Sequence, residues 1–391
     1  MSPLRIAMLA HSTNPRGGVV HALELAEALH AQGQRVTLIA AAEHGKAFFR
    51  KTFCATQLLT LPVLSGDLST QVEQRIRAYV EYFSRPDTPR YDIYHAQDAI
   101  SGCALAMLSE RGILPGFVRT VHHLDTFGAA DLAAWQARSF REARQVLCVS
   151  RHWREKLADE HGINAIEINN GVDTRRFHPT AQPEDESLRS RLGLNRSGPL
   201  FLAVGGIEAR KNTLRIFHSF LDVLKNQPQA QLLIAGGASL LDHSGYRQAF
   251  DDAVKNSGIA EGPDQPLVIS GPLPDAAMPS LFRLADALVF PSLQEGFGLV
   301  VLEAIVSGTP VIVSRRPPFS EYLQEHDCVW TDPEERLAIA AAMKQAIGDF
   351  PRQRLAATAS RLASEFSWET SARTHLKIYQ SIINPRGNTH A

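Results

Sequence analysis

The sequence predicts two doubly wound α/β domains with a ligand cleft between them, and three observations carry that reading. The chain has 391 residues, more than the roughly 250–300 that one hydrophobic core supports. Short Val/Ile/Leu-rich runs alternate with helix-period segments along the whole length, the pattern of parallel strands covered on both faces. One polar stretch, 173–198, holds Pro179 and Pro183 and no sustained strand or long helix signal, so it separates the runs into two series.

In chain order, the first series of strand runs is 5–10, 35–40, 91–96, 117–123, 145–150 and 165–169. Between the first two, Val19, Leu23, Ala26 and Leu29 fall along one face of a helix that Gly33 ends. The second series is 200–205, 231–236, 267–271, 287–292, 310–314 and 328–330. The expected domains are therefore 1–172 and 173–367, and the closing INPRGNTHA reads as a frayed tail.

Composition narrows the function classes. Hydrophobic residues make up 44% and charged residues 21%, a folding composition. The net charge is −1, and residues 1–172 carry 18 basic and 17 acidic side chains, so neither half is a basic module for nucleic acid or an anionic membrane. No apolar run reaches the roughly 18 residues of a membrane helix. The apolar stretch after Arg5 is too short for a signal peptide and reads as a strand. Cys54, Cys103, Cys148 and Cys328 are scattered without a C-x-x-C pair, which predicts neither disulfides nor structural zinc and points to reducing cytoplasm.

In open α/β sheets ligands bind beyond the carboxyl ends of the strands, and the loops there hold the candidates. After the first run, Gly17 and Gly18 open a helix, where exposed N–H groups can meet an anion; a plain strand-to-helix turn has the same look. The dinucleotide fingerprint G-x-G-x-x-G is absent, which argues against a nicotinamide or flavin cofactor. His122 and His123 end the fourth run, so one faces the cleft and the other away, or both are ordinary loop histidines. Gly205 and Gly206 follow the first run of the second series, with Glu208, Arg210, Lys211 and Asn212 at the start of the next helix. Adjacent cations there oppose the helix dipole. A bound diphosphate accounts for them, as does simple solvation.

Residues 287–314 are the most specific stretch. Pro291-Ser292 ends a strand, Gly296-Phe297-Gly298 follows, and the next helix is apolar apart from Glu303. A lone carboxylate in an apolar helix needs a partner, either a ligand or a buried Arg. Glu295 stands eight residues earlier at the mouth of the loop, where both carboxylates can face a polyhydroxylated ligand.

These residues resemble a known family. Glu295-Gly296-Phe297-Gly298, Glu303 and Gly308-Thr309-Pro310-Val311 are similar to the E-x7-E signature of retaining glycosyltransferases with the GT-B fold, of the group-1/family-4 type. The resemblance extends through Gly17-Gly18, Thr120-Val121-His122, Asn170-Gly171-Val172-Asp173, Val204-Gly205-Gly206 and Arg210-Lys211-Asn212, nearly the whole chain.

It implies two facing Rossmann-like domains, the second holding a nucleoside-diphosphate sugar and the first an acceptor, whether glycan, lipid or small molecule. It implies that Arg210 and Lys211 grip the diphosphate, and that Glu303 binds the ribose with the base against Leu273. Glu295 and the N–H groups of Phe297 and Gly298 would orient the sugar. Gly18 would approach the phosphates, and His122 the anomeric region. Many relatives carry Arg at the place of Gly206, so Arg210 beside Lys211 takes that cation's part; where many have a Gly-rich loop, this chain has Arg315-Arg316-Pro317-Pro318. The final helix, about 368–391, is expected to return to the first domain.

The expected activity is hexose-type transfer with retention, with no cofactor beyond the donor. No D-x-D occurs in the sequence, so the paired cations, and not a metal ion, are expected to neutralise the leaving diphosphate. The rival readings are a sugar-nucleotide epimerase on the same fold, a dehydrogenase, which needs the missing fingerprint, and a non-catalytic nucleotide-sugar binder.

Overall fold

The computed structural model describes residues 2–61, 63–237, 244–348 and 350–384. The chain divides into two compact units, Met1–Gly171 with Phe366–Ala391, and Val172–Glu365. Residues 385–391 of the expected tail lie outside the described residues.

The first unit is built on seven parallel strands: β1 Arg5–Ala10, β2 Arg35–Glu43, β3 Ala55–Leu61, β4 Ile93–Ala96, β5 Val118–Val121, β6 Gln145–Cys148 and β7 Ile166–Glu167. Their order is β3-β2-β1-β4-β5-β6-β7, with Ile6 of β1 opposite Val36 on one side and Ile93 on the other. Five of the six β1 residues are buried because helices cover both faces: α1 Gly17–Ala31, α2 Leu68–Ser84, α3 Ala99–Glu110, α4 Ala130–Arg141 and α5 Arg151–His161. The order reverses between β1 and β4, which makes the loops after those strands the rim of a switch-point crevice.

Strand β3 was not among the expected runs. It is an edge strand whose Ala55, Thr56 and Thr60 are exposed while Leu59 and Leu61 are buried, so its sequence alternates instead of reading as a continuous apolar run. The run at 165–169 shrinks to two residues, since β7 is the opposite edge.

The second unit has six parallel strands: β8 Leu200–Val204, β9 Gln231–Ala235, β10 Leu267–Gly271, β11 Ala287–Phe290, β12 Val311–Ser314 and β13 Val329–Thr331. Their order is β10-β9-β8-β11-β12-β13, which puts the switch point between β8 and β11. Its helices are α6 Pro183–Leu192, α7 Thr213–Leu224, α8 Ser244–Ser257, α9 Met278–Leu284, α10 Leu299–Val306, α11 Phe319–Tyr322, α12 Arg336–Ile347 and α13 Arg352–Glu365.

Within 173–198, where the sequence shows no sustained strand or long helix signal, the structure places the ten-residue helix α6. Pro183 supplies its first turn, and the Asp185 carboxylate accepts from the Gln182 backbone N–H at 3.0 Å. Arg283 clamps the same carboxylate from α9 with bonds of 2.8 and 2.6 Å. Burial pushes that carboxyl up, but Arg283 and the other donors outweigh it and bring it down to about 2. Much of this stretch is exposed, and Asp185 and Arg176 pair it to the rest of the second unit through Arg283 and Asp275.

The last helix, α14 Trp368–Ile383, belongs to the first unit. Gln32 Nε2 donates to the Glu369 carbonyl at 2.9 Å, and Arg144 Nη2 to the Ile382 carbonyl at 2.8 Å. A Cβ on Gly171 would sit 2.1 Å from the Trp368 nitrogen, so only glycine lets the chain leaving this unit pass the chain returning to it.

Candidate active site

In the second unit, the loops after β8 and β9 touch through glycine backbone. Gly206 has φ +78, and a Cβ there would meet the Gly237 carbonyl oxygen at 2.8 Å. Its N–H donates to the Ala235 carbonyl at 3.1 Å, and its own carbonyl accepts from Thr213 Oγ1 at 2.8 Å. Both polar groups of Gly206 thus serve a tight joint with no room for a side chain, and the cations come from the turn beyond it.

That turn precedes the helix instead of opening it, since α7 begins at Thr213. Asn212 closes it in the left-handed region at φ 62, a conformation Asn tolerates better than most residues. Its Nδ2 donates to the Pro291 carbonyl at 3.1 Å and the Pro333 carbonyl at 2.6 Å. One buried amide therefore ties the turn to the loops after β11 and β13, and the positions of Arg210 and Lys211 follow from it.

The expected catalytic residues of this unit meet on Glu295. Its buried Oε1 accepts from Lys211 Nζ at 2.7 Å and from Arg210 Nη1 at 2.9 Å. Arg210 also donates to the Gln294 carbonyl at 3.2 Å, while its own carbonyl accepts from the Leu293 N–H at 2.9 Å. Glu208 lies 3.7 Å from Arg210 Nη2, and the Lys211 ammonium sits 4.4 Å from the Phe290 ring centroid. Burial pushes the Glu295 carboxyl up, but Lys211 and then Arg210 outweigh it and hold the carboxyl below its ordinary value. Burial lowers the Lys211 ammonium, with Glu295 opposing. Ammonium and guanidinium carry three and five N–H donors, so each keeps donors beyond those spent on Glu295.

The loop behind Glu295 is braced by aromatic rings. Phe297 stacks on Tyr322 with centroids 5.1 Å apart, and Tyr322 Oη donates to the Phe297 carbonyl at 3.0 Å. Gly298 stands at φ +92 before α10, where a Cβ would lie 2.5 Å from the Phe319 ring. Glu303 is half-buried and shares the accessible stripe of α10 with Leu299 and Val300, while Val301, Leu302, Ala304 and Ile305 are buried. This corrects the expectation of a carboxylate sunk in an apolar helix. Leu273 is half-buried beyond β10, next to a Pro272 that would lie 2.8 Å from a Cβ on Gly237.

In the first unit, the structure brings Gly18 and His122 together. His122 lies just past β5, and a Cβ on Gly18 would be 3.4 Å from its Cδ2, whereas Gly17 has open space. His123 points outward, its Nε2 3.5 Å from Asp125. His122 Nε2 is 3.0 Å from Gln97 Oε1, in the loop after β4. The His21 ring of α1 meets His122 edge-on at 4.6 Å, and His21 Nδ1 donates to Asn170 Oδ1 at 2.9 Å. Behind them, His95 lies between Tyr379 Oη and Thr120 Oγ1, each at 2.7 Å, and His375 Nδ1 donates to the Ser371 carbonyl at 2.8 Å.

Burial disfavours the charged form of all four histidines: it brings His21 down to about 3 and His375 to about 4, and holds His95 and His122 well below the ordinary value. The sequence reading missed Gln97, His21, His95 and His375. Only the HAQD at 95–98, where the 91–96 run ends on the switch-point rim, could have signalled Gln97.

Among the described residues no group of three or more His, Cys, Asp or Glu could hold a metal ion, and no helix is long and apolar enough to cross a membrane. The family model described as glycosyl transferases group 1 matches residues 184–361, and that of glycosyltransferase family 4 matches 15–176. A D-inositol 3-phosphate glycosyltransferase of Frankia alni is 29% identical over 320 residues, 75% of each chain. Two solved structures share the fold. One is the sucrose-phosphate synthase of Thermosynechococcus elongatus (TM-score 0.78, 20% identity), covering 98% of this chain and 100% of that one. The other is Anabaena HepE with UDP and glucose (TM-score 0.76, 19% identity), covering 97% and 100%.

Proposed function

Since the chain belongs to the group-1/family-4 glycosyltransferases with the GT-B fold, we propose that it moves a hexose-type sugar from a nucleoside-diphosphate donor to an acceptor hydroxyl, retaining the anomeric configuration without a metal ion. The observation that carries this reading is the convergence of Lys211 and Arg210 on the buried Glu295 at the switch point of the second unit. Two cations held by one carboxylate are preorganised for the charge of a leaving diphosphate, and pay no reorganisation as it departs.

In the proposed reaction the bond from the anomeric carbon to the diphosphate oxygen breaks and the electron pair leaves with that oxygen. The acceptor oxygen then bonds to the same face of the sugar, and the departing phosphate takes its proton. Lys211 and Arg210 neutralise the phosphate oxygens through the donors that Glu295 leaves them. Glu295 sets the sugar's position, and Glu303 accepts from the ribose hydroxyls on the accessible stripe of α10. Leu273 packs against the base, and the Phe297 and Gly298 N–H groups hold the sugar. In the first unit, His122 takes a sugar hydroxyl and Gly18 admits phosphate to its backbone. The four cysteines are buried free thiols, which supports a reducing, cytoplasmic setting.

Two glutamate variants separate these roles. Glu303→Gln keeps volume and removes charge, so the Kd for nucleoside diphosphate measured by calorimetry should rise about 3- to 10-fold, one hydrogen bond's worth. Glu295→Gln should lower kcat about 100-fold or more while the same Kd does not rise, because removing a negative charge beside two cations strengthens the field that an anion meets there. The reverse pattern would exchange the two assignments. Excess EDTA should leave the transfer rate unchanged. Loss of activity on chelation, restored by Mg²⁺ or Mn²⁺, would show that Arg210 and Lys211 are not the neutralising groups.

A further inference from the structure

We infer that Gln97 is a positioning residue: its side-chain amide holds the His122 imidazole with the proton on Nε2 and leaves Nδ1 as the ring's acceptor toward substrate. The inference rests on the assignment of His122 to a sugar hydroxyl and adds the group that sets its orientation.

The amide itself is fixed by its surroundings. Gln97 is 2% exposed, and its backbone N–H donates to the Leu9 carbonyl of β1 at 3.0 Å. The next residue, Asp98, caps α3 by accepting from the Ser101 N–H at 2.8 Å, so the segment is held at both ends. Nε2 of Gln97 lies 3.0 Å from Met8 Sδ and 3.2 Å from His95 Nε2. A thioether sulfur has no proton to give, so it can face the NH₂ end of the amide and not the oxygen. Turning the amide over would set oxygen against sulfur and lose a buried hydrogen bond. Oε1 is therefore the end that meets His122, and the ring nitrogen opposite it, 3.0 Å away, must be the N–H.

The other ring nitrogen has no partner among the described residues, while Gly18 and His21 press on the ring from α1. His122 is thus clamped through one nitrogen and presents the other. The charged groups acting on it are His21 on α1, Arg119 on β5, the adjacent His123 and His95 on β4. All are cations or potential cations, so with burial they favour a ring carrying a single proton. Under this arrangement Nδ1 can accept a hydrogen bond from a hydroxyl, and the opposite tautomer could not.

The test uses the full-length chain labelled with ¹⁵N-histidine and free of substrate, with the His122 signals assigned by comparison with His122→Gln. Long-range ¹H–¹⁵N spectra near neutral pH should show His122 protonated at Nε2 and bare at Nδ1. Gln97→Met keeps the volume without the acceptor and should populate both tautomers. Gln97→Glu keeps the oxygen and should restore the Nε2–H form, which also covers the case in which the first variant fails to fold. A wild-type His122 protonated at Nδ1, or an unchanged tautomer in Gln97→Met, would overturn the positioning role. In the transfer assay Gln97→Met should lose about 10- to 100-fold in kcat with donor KM little changed, by analogy with the groups that orient metal-ligating histidines. A tautomer shift without any loss of kcat would leave the clamp standing and remove His122 from the reaction.

Discussion

Lys211→Ala is expected to lower the transfer rate by about 100- to 1000-fold, the cost of deleting one preorganised charge-stabilising group. The loss has two sources. Donor diphosphate forfeits one of two cations, and Glu295 forfeits the closer of its two cationic partners, Nζ at 2.7 Å. Removing one partner of a buried pair typically costs about 3–5 kcal/mol of stability. Arg210, still 2.9 Å from the carboxylate, should keep the loss at the low end. Lys211→Met separates the effects because it keeps an apolar stem of similar length beside Gly205 while removing the charge over the Phe290 ring. Combining it with Glu295→Gln removes the stranded carboxylate, so the double variant should regain thermal stability over Lys211→Met alone yet recover no activity. Calorimetry against ADP, GDP and UDP, beside kcat/KM, decides the matter. Wild-type affinity and rate in Lys211→Met would remove this side chain from the donor site.

Why Lys211, Arg210 and Glu295 could be picked out from sequence, while Gln97 and Asn212 could not be given roles, follows from how each is specified. The first three sit in loops bounded by glycines and by strongly apolar strands, where charged residues stand out. Asn212 acts through a positive φ and through carbonyls at Pro291 and Pro333, contacts that depend on strand order and not on local pattern. Gln97 and His21 are polar side chains on otherwise ordinary strand-end and helix positions, and their partners lie 25 and 149 residues away. The two alternating series of strands and helices were legible because both sheets are parallel and buried. Edge strand β3 escaped because it is half exposed, and α6 because it is mostly exposed and so reads like solvated linker. Glu303 lies shallower than an apolar sequence implies, because a helix of eight residues still has one accessible stripe, and its single charge lies there.

The histidine cluster that the sequence hid makes the first unit sensitive to mild acid. His21 and His375 are fully buried, and each has an Nε2 without a hydrogen-bond partner among the described residues, so the folded chain keeps both neutral down to about pH 3 and 4 respectively. The charges acting on His21, His95 and His375 are other histidines and Arg119, with no carboxylate among them to favour protonation. In the unfolded chain each ring takes up a proton near pH 6.5. Between those limits the unfolded state binds more protons, so stability is full above about pH 6.5 and falls as the pH drops toward 4. Each histidine contributes a slope of about 1.4 kcal/mol per pH unit. From pH 6.5 to 4.5, His21 and His375 together should therefore cost on the order of 5 kcal/mol, comparable to the whole stability of many domains. Asp185, held at about 2, is lost only at lower pH, and Glu295, held below its ordinary value, begins to contribute only at the acid end of this window, so the histidines dominate its upper part. Urea unfolding followed at the fluorescence of the first unit's tryptophans should show two or more protons taken up per unfolding event between pH 5.5 and 4.5. His375→Phe preserves the ring's packing against Tyr379 and should reduce that uptake by about one. An uptake near zero in the wild type, or one that His375→Phe leaves unchanged, would mean that these rings are already charged in the folded protein.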